Sequence, residues 1–459
     1  MSFTTPNLCH SRGIQYLFNP YPPPYGTSPI TPRAIEISQL HSFHPFPSLP
    51  PSSPAMKITF SVAALMVAVA TIQTGASLVK LDHTVGFTIG VKNNPEFAPN
   101  ATKLVFKAWS KYSKFATSHR IGRYFAAQVP VTNHANDLEY YATVKVGTPG
   151  QNFKLDFDTG SSDLWFPYTK CGAACKGKSI YDPKKSSTYK KDGRSWNIQY
   201  GDGSTSSGIL GRDTVVLGGI PIANQTIDMA DRISAQLQGD IVDGILGLGF
   251  DSGSTVQGTK TPMTNLIQQK LIKQPIFGVY LGKASRGGGG AYIFGGYDKT
   301  KLARNLTTVP VDSSQGYWAI TVSNMKVNGT AKAVVNKFQG IVDTGTTLLL
   351  LPNDVASNLA KNLKAADNGD GTFTITCNPA KLQDVTFSIA GATFKIAKED
   401  LIFQKHGTSC IAGFGYSSLP FAILGDVFIK NNYVVFNQKI PQIQLAPLAG
   451  IYTRVLGHR

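Results

Sequence analysis

Carboxylate side chains are scarce in this chain of 459 residues, which has 27 Asp and Glu against 44 Lys and Arg. After residue 127 the only glutamates are Glu139 and Glu399. Acid denaturation arises largely from the protonation of paired carboxylates, so we expect such a chain to tolerate acid. The net charge of +17 is not gathered into the dense Lys/Arg clusters that follow a phosphate backbone. We therefore expect a solvated basic surface and no nucleic-acid partner.

Cysteine is also scarce, with five residues in the chain. One is Cys9, and the other four form an even set, namely Cys171, Cys175, Cys377 and Cys410. Such a set is typical of disulfide bonds in an oxidising compartment. A zinc site is the alternative, but the first two have no partnering Cys or His pair at a suitable spacing. We predict disulfide bonds, no metal and no cofactor.

Long hydrophobic runs are lacking, apart from one between Ile58 and Ile72. It is too short to span a bilayer comfortably, which takes about 20 apolar residues. The run follows Met56 and one lysine and precedes small residues, as in a secretory signal peptide. We assign the signal peptide to residues 56–76 and expect a secreted, extracellular protein with no membrane contact after processing. Three Asn-x-Thr glycosylation sites agree with secretion, at Asn224, Asn305 and Asn328.

The segments on either side of this signal have different compositions. Residues 1–55 contain twelve prolines and are expected to be disordered. We hypothesise that Met56 is the true start and that 1–55 come from an over-extended gene model; the alternative is a real extension before an internal signal anchor. Residues 77–127 carry eight Lys/Arg against two acids, with a helix-compatible pattern around Ala101–Phe115. We predict a propeptide there, whose cations pair with carboxylates of an active-site cleft; the alternative is a basic linker.

The rest of the chain has the pattern of many short β-strands. Runs such as Tyr141–Val146, Phe153–Phe157 and Tyr433–Phe436 alternate and end at glycine-containing turns. Helical patterns are few, and the best are Met263–Lys270 and Asn353–Leu363. The sequence therefore predicts an all-β protein.

One segment of this β region occurs twice, about 185 residues apart. Phe157-Asp-Thr-Gly-Ser-Ser-Asp-Leu-Trp165 recurs as Val342-Asp-Thr-Gly-Thr-Thr-Leu-Leu-Leu350. Each copy is followed at a distance by Ile-Leu-Gly, at 245–247 and at 423–425. We predict two similar lobes, each of which contributes one loop to a shared cleft.

Two adjacent carboxyl groups sharing one proton can hydrolyse a peptide bond without a metal. The ionised group takes a proton from water, and the protonated group donates to the developing oxyanion. Like charges held close cannot both ionise easily, so their pKa values separate. We predict that Asp158 and Asp343 form this catalytic pair.

Six neighbours of the two aspartates are predicted to support the pair: Thr159, Gly160, Ser161, Thr344, Gly345 and Thr346. The glycines allow backbone and substrate to approach closely, because a Cβ would intrude. The threonine directly after each aspartate offers a hydroxyl that can lock the two loops together. The hydroxyl three positions after each aspartate can hydrogen-bond its outer carboxylate oxygen.

These motifs, with strings such as Tyr200-Gly-Asp-Gly-Ser204 and Ile293-Phe-Gly-Gly-Tyr297, resemble the pepsin family of aspartic proteases, and most closely the fungal rhizopuspepsin type. The resemblance runs from about Asp137 to Ala449. It implies a bilobal pepsin-like fold, with lobes at 128–306 and 307–450 before a basic tail at 451–459. It also implies a monomer that takes extended polypeptides and pepstatin-type inhibitors in a long cleft. Two disulfides are implied, Cys171–Cys175 and Cys377–Cys410.

The resemblance implies further roles near the cleft. Tyr200 would lie at the tip of a flap, with its hydroxyl near Trp165, and the backbone of Gly201 and Asp202 would bind the peptide. A carboxylate at Asp202 would allow Lys beside the scissile bond, as well as bulky apolar side chains. In the propeptide, Lys111 and Tyr112 resemble the Lys-Tyr sequence that blocks the two catalytic aspartates, or dyad, in related zymogens. Three further cations compete for this assignment, namely Lys114, Arg120 and Arg123.

Two other functions remain as alternatives to an acid endopeptidase. A catalytically inactive relative would act as a binding protein or an inhibitor, although the complete motifs favour an enzyme. A nucleotide-binding enzyme would use the glycines at 287–290, but no Gly-Lys-Ser/Thr follows them and their flanks have the pattern of a hairpin.

Overall fold

The computed structural model describes residues 101–111, 127–130, 132–134, 139–200, 204–286 and 288–450. The segments assigned to 1–55, 56–76 and 451–459 lie outside these residues, as does most of 77–127. Within the described part of the chain, no helix is long and apolar enough to cross a membrane.

Short strands dominate the first half of the described chain, with three α-helices among them. The strands are β1 (Ala127–Pro130), β2 (Thr132–His134), β3 (Glu139–Val146), β4 (Gln151–Asp158), β5 (Leu164–Pro167), β6 (Lys190–Gln199), β7 (Thr205–Leu217), β8 (Ile220–Ile233), β9 (Gly244–Gly247), β10 (Ile276–Leu281), β11 (Gly290–Phe294) and β12 (Thr307–Pro310). The helices are α1 (Ala101–Lys111), α2 (Ala235–Gln238) and α3 (Pro262–Gln268).

The second half of the described chain is also mostly strands, with thirteen strands and two α-helices. The strands are β13 (Ala319–Val322), β14 (Asn324–Val327), β15 (Phe338–Val342), β16 (Leu349–Pro352), β17 (Ala366–Asp367), β18 (Thr372–Ile375), β19 (Val385–Ile389), β20 (Ala392–Ile396), β21 (Ile402–His406), β22 (Ser409–Ser417), β23 (Ala422–Leu424), β24 (Asn432–Asn437) and β25 (Gln442–Pro447). The helices are α4 (Asn353–Leu363) and α5 (Asp426–Ile429). The predicted strands and both predicted helices therefore occur in their expected places.

The strands form three larger sheets and one small one. The first has eight strands in the order β2-β3-β4-β9-β5-β8-β7-β6, and an extra β3–β7 pairing closes it into a barrel. The second has eight strands from β13 to β23, and β14, β19 and β20 form a three-stranded sheet beside it. The third has six strands in the order β1-β11-β10-β24-β25-β12, so it combines strands from both halves. This arrangement confirms the predicted all-β, bilobal architecture.

The internal repeat has the same local topology in both halves. Strand β4 ends at Asp158 and runs parallel to β9, while β5 pairs antiparallel with that same strand. In the second half β15 runs parallel to β23, and β16 pairs antiparallel with it. The Ile-Leu-Gly segments thus lie between the two strands that flank each Asp-Thr-Gly loop. Gly425 is required there, because a Cβ would collide with the carbonyls of Thr346 and Leu348.

The apolar pattern of each strand explains which face it buries. Along β4 the side chains of Phe153, Leu155 and Phe157 are buried, and the residue between the first two is exposed. In the six-stranded sheet, Phe277 stacks on Phe436 with ring centroids 4.6 Å apart. One continuous hydrophobic core includes side chains from these sheets. This core includes Phe157 and Val342, the residues that precede the two catalytic aspartates, so it supports both Asp-Thr-Gly loops.

Candidate active site

The two aspartates lie at matching ends of matching strands and are both buried. Oδ1 of Asp158 accepts the backbone N–H of Gly160 at 2.8 Å, and Oδ1 of Asp343 accepts that of Gly345 at 3.0 Å. Their Oδ2 atoms accept the hydroxyls of Ser161 and Thr346 respectively. Each carboxylate is therefore held by one backbone and one hydroxyl donor in a nearly two-fold arrangement.

The threonines that follow the aspartates lock the loops together. The N–H of Thr159 donates to Thr344 Oγ1 at 3.0 Å, and the N–H of Thr344 donates to Thr159 Oγ1 at the same distance. Each hydroxyl then donates to the opposite strand, from Thr159 to Val342 O (2.9 Å) and from Thr344 to Phe157 O (2.6 Å). Because both hydroxyls are buried, these four bonds fix the relative position of the two carboxylates.

A lysine of helix α1 lies between the two carboxylates. Lys111 Nζ donates to Asp158 Oδ1, and it lies 2.9 Å and 3.0 Å from the two oxygens of Asp343. Its side chain is only 5% exposed. Gly345 forms part of the same contact, because a Cβ there would collide with Asp158 and come within 2.9 Å of Lys111 Nζ. The ammonium therefore bridges the two carboxylates.

Burial and the attraction between opposite charges have opposite effects on the pKa values of Lys111 and Asp158. Burial raises the pKa of Asp158, the Lys111 ammonium lowers it, and the nearby Asp343 raises it again; the result lies above the usual value. Burial alone would lower the pKa of Lys111, but attraction by both carboxylates outweighs that effect and raises it. The lysine therefore stays charged throughout the range in which the aspartates titrate.

Helix α1 is fixed to the second half of the chain by more than its lysine. Val105 and Ala108 are buried against an apolar cluster that includes Tyr317 and Leu350. At the other end of the helix, the hydroxyl of Thr102 donates to Asp370 Oδ2 at 2.7 Å. These contacts hold the helix in the orientation that places Lys111 at the dyad.

The predicted flap tyrosine lies beside the predicted tryptophan. Trp165 Nε1 donates to the hydroxyl of Tyr200 at 2.8 Å, and both side chains are buried. Tyr200 also lines a cavity of about 230 Å³, together with Lys111, Ser161 and Gln199. The flap residues Gly201 and Asp202 and the propeptide residue Tyr112 lie outside the described residues.

Disulfide bonds join Cys171 to Cys175 and Cys377 to Cys410, which is the pairing that the resemblance implies. In the described ranges, no group of three or more His, Cys, Asp or Glu side chains is arranged to hold a metal ion.

The family of the chain follows from comparison with known proteins. A family model described as eukaryotic aspartyl protease matches residues 139–448. The chain belongs to this family. Among its relatives, rhizopuspepsin of Rhizopus chinensis is 53% identical over 366 residues, which cover 79% of this chain and 93% of that protein. Syncephapepsin of Syncephalastrum racemosum is 52% identical over 396 residues, or 84% of this chain and 99% of that protein. Pepsin A of Callithrix jacchus is 38% identical over 331 residues, or 70% and 84%.

The aspartyl protease is thus an aspartic endopeptidase, a hydrolase of the pepsin type. Proteases of this type act on peptide substrates and are inhibited by pepstatin-type compounds. The geometry around Asp158 and Asp343 fits that chemistry, because two buried carboxyls share one narrow site and contact the same ammonium.

Two buried carboxyls near this site were missed by the sequence analysis. Burial raises the pKa of Asp163 to about 6, although the N–H of Thr255 donates to it at 3.0 Å and opposes the rise. Burial and the charge of Asp163 raise the pKa of Asp228 well above its usual value. A signal was present in the repeat itself, because Asp163 corresponds to the apolar Leu348 in the second copy.

Asp163 makes the stability of the protease pH-dependent. Its folded pKa is raised, so its contribution is fully present below the unfolded pKa near 3.8 and is lost as the pH rises through about 6. A pKa difference of this size between the folded and unfolded chain corresponds to about 3 kcal/mol of unfolding free energy. We expect Asp163→Asn to remove this part of the pH dependence in urea unfolding between pH 3 and pH 7.

This measurement is best made with Asp158→Asn present in every sample, so that self-digestion does not contribute. The exposed Asp354→Asn serves as the matched control and should leave the curve unchanged. Equal loss of stability with rising pH in the presence and absence of Asp163→Asn would assign the effect to other groups.

Proposed function

We propose that this protease is made as an inactive secreted precursor, in which Lys111 silences the catalytic pair Asp158 and Asp343 until acid releases it. The observation that carries the proposal is the bridge from Lys111 Nζ to oxygens of both carboxylates. With the ammonium in place, neither carboxylate can hold a water for attack. Its removal leaves two neighbouring carboxyls in a buried site.

In the released enzyme, the two aspartates share one proton. The ionised carboxylate takes a proton from water, and the water oxygen attacks the carbonyl carbon of the substrate. The protonated carboxyl donates to the carbonyl oxygen as it gains negative charge. Collapse of the tetrahedral intermediate breaks the C–N bond, and the amine leaves with a proton from the dyad. No cofactor is required.

The neighbouring residues hold the carboxylates in the geometry that this reaction needs. Ser161 and Thr346 each donate to the Oδ2 atom of one carboxylate, which limits the rotation of that carboxylate. The bonds between Thr159 and Thr344 keep the distance between the carboxylates constant. Such preorganisation is the largest single contribution in many enzymes.

Acid is the proposed signal for activation. Near neutral pH both carboxylates attract Lys111, and the ion pairs hold α1 in the cleft. As the pH falls through the raised pKa of Asp158, this carboxyl takes up a proton and its attraction for the ammonium is lost. Release therefore begins at a higher pH than the usual pKa of aspartate would give.

We propose that extended polypeptides bind across the dyad under the flap that carries Tyr200. The cavity of about 230 Å³ beside Tyr200 has room for a large side chain, which supports a preference for bulky hydrophobic residues at the scissile bond. The proposed acceptance of Lys depends on Asp202. The backbone of Gly201 and Asp202 would bond the peptide.

Secretion is supported by the signal-like segment at 56–76 and by the two disulfide bonds. The three Asn-x-Thr asparagines are all exposed, as glycosylation requires: Asn224, Asn305 and Asn328. We place the propeptide at 77–127, the lobes at 128–306 and 307–450, and the basic tail at 451–459, in a monomer. Strand β1 pairs with β11 from Ala127 to Pro130, so cleavage after residue 127 would remove only the first residue of this strand from the sheet.

The proposal is tested with full-length precursor that has been treated with acid. We expect hydrolysis of denatured haemoglobin at acid pH, complete inhibition by pepstatin, and no hydrolysis by untreated precursor near pH 7. Correctly processed protein that binds peptides without cleaving them would instead support an inactive binding protein.

A further inference from the structure

A buried tyrosine contacts the residue that precedes the catalytic Asp158. Tyr292 lies on β11, between β1 and β10 in the six-stranded sheet, and its side chain is fully buried. Its ring meets that of Phe157 edge to face, with centroids 5.2 Å apart. Its hydroxyl donates to the carbonyl oxygen of Phe157 at 2.8 Å. That carbonyl belongs to the peptide that leads directly into Asp158.

The same carbonyl also takes part in the hydrogen bonds by which Thr159 and Thr344 join the two loops. Phe157 O accepts the hydroxyl of Thr344 at 2.6 Å, so it has two side-chain donors. The equivalent oxygen in the other half, Val342 O, accepts the hydroxyl of Thr159 at 2.9 Å. Among the residues that the structure describes, no second side chain donates to Val342 O. The near two-fold symmetry of the site is therefore broken at this point.

We propose that Tyr292 is a positioning residue for the reaction, which holds the Phe157–Asp158 peptide and thereby sets the distance between the two catalytic carboxyls. The inference rests on the proposed roles of Asp158 and Asp343. Tyr292 touches neither carboxylate, and it acts through Phe157 O and Thr344. Because its strand belongs to the sheet that combines both halves, it ties the dyad to strands from both ends of the described chain.

The hydroxyl of Tyr292 is suited to a permanent donor. Burial raises its pKa well above the usual value; a contact with the Thr344 side chain opposes this rise, and three nearby aspartate charges add to it. It therefore keeps its proton throughout the acid and neutral range. An ionised tyrosine could not donate to a carbonyl.

Replacing the hydroxyl should change catalysis more than binding. For Tyr292→Phe in the acid-activated full chain, we expect kcat to fall about three- to tenfold while KM stays within about twofold. The substrate pockets are unchanged, so ground-state binding is retained. A looser dyad also separates the two carboxyls on average, which weakens their mutual repulsion and brings their pKa values together. The bell-shaped pH profile of kcat should therefore become narrower on both sides.

Tyr181→Phe is the matched control. Tyr181 is also fully buried, and its hydroxyl donates to Asp213, away from the dyad. It should lower the melting temperature at least as much as Tyr292→Phe and leave kcat and the pH profile unchanged. Equal kcat losses in the two variants, or an unchanged profile in Tyr292→Phe, would overturn the proposal. Absence of activity in the wild-type chain would instead contradict the proposed function.

Site-specific replacement of Tyr292 by 3-fluorotyrosine provides a second test that keeps the shape of the ring and the hydroxyl. Fluorination makes the hydroxyl a stronger donor, so the pH profile of kcat should be wider than that of the wild type; an unchanged profile would contradict the proposed role. If Tyr292→Phe did not fold, this variant would still decide the question. A narrowed profile with the stronger donor would contradict the proposed role.

Discussion

Replacing Asp158 by Asn should lower kcat by at least about 10³-fold, because an amide can neither take a proton from water nor share one with Asp343. The shape of the side chain is retained, and the amide oxygen can still accept the N–H of Gly160, while the amide NH2 would donate to the hydroxyl of Ser161 instead of accepting from it. Asp343→Asn should have an effect of similar size. The two losses should not add in the double variant, because the pair acts as a unit.

The measurement is steady-state hydrolysis of a peptide at acid pH, with circular dichroism to verify the fold. Asp182→Asn is the control; the Asp182 side chain caps a short helix by accepting the N–H of Lys184, so this substitution should leave kcat unchanged. Residual activity above a few per cent of wild type in either dyad variant would show that another group is the base.

Removing the charge of Lys111 has the second large expected effect. In Lys111→Gln precursor, the two carboxyls remain close together without a counter-ion, so one of them protonates at a higher pH. We expect conversion to mature enzyme to be at least about tenfold faster at pH 5 to 6 and its midpoint to move to higher pH. The ion pairs that this substitution removes are buried. Removal of one partner of a buried ion pair destabilises the folded state by several kcal/mol, so the precursor form is weakened.

The control for this experiment comes from the competing cations of the propeptide. Lys114→Gln removes the same charge three residues further along the chain and should convert like the wild type. Conversion is followed by N-terminal sequencing and by activity after neutralisation. An accelerated Lys114→Gln and an unchanged Lys111→Gln would transfer the inhibitory role to Lys114.

Several parts of this site are predictable from sequence because they are encoded within short segments. The repeated Asp-Thr-Gly motif indicates the dyad, and the alternating strands around it indicate the all-β fold. The choice of Lys111 among four cations depends on family resemblance, since the sequence alone does not reveal which cation reaches the dyad. The sequence predicted that the hydroxyls of Thr159 and Thr344 can lock the two loops together. The structure shows which backbone carbonyl each hydroxyl contacts.

The contacts that sequence analysis missed depend on packing between distant strands. Tyr292 is separated from Phe157 by 135 residues, and the two lie on strands of different sheets that meet only through packing. Its one polar atom in the buried run Ala291–Phe294 was the available signal, because a buried hydroxyl needs a partner. The raised pKa of Asp163 likewise follows from burial, which the sequence indicates only through the apolar Leu348 at the matching position of the second copy.

The central claim is that a competent dyad is masked near neutral pH and exposed by acid. The most direct test is to follow peptide hydrolysis by purified full-length precursor during stepwise acidification from pH 7, with pepstatin controls and N-terminal sequencing at each step. We predict no hydrolysis at pH 7, followed by pepstatin-sensitive activity that appears together with a new N-terminus between about residues 117 and 129. Hydrolysis at pH 7 by intact precursor, or acid activity that pepstatin does not inhibit, would contradict the claim.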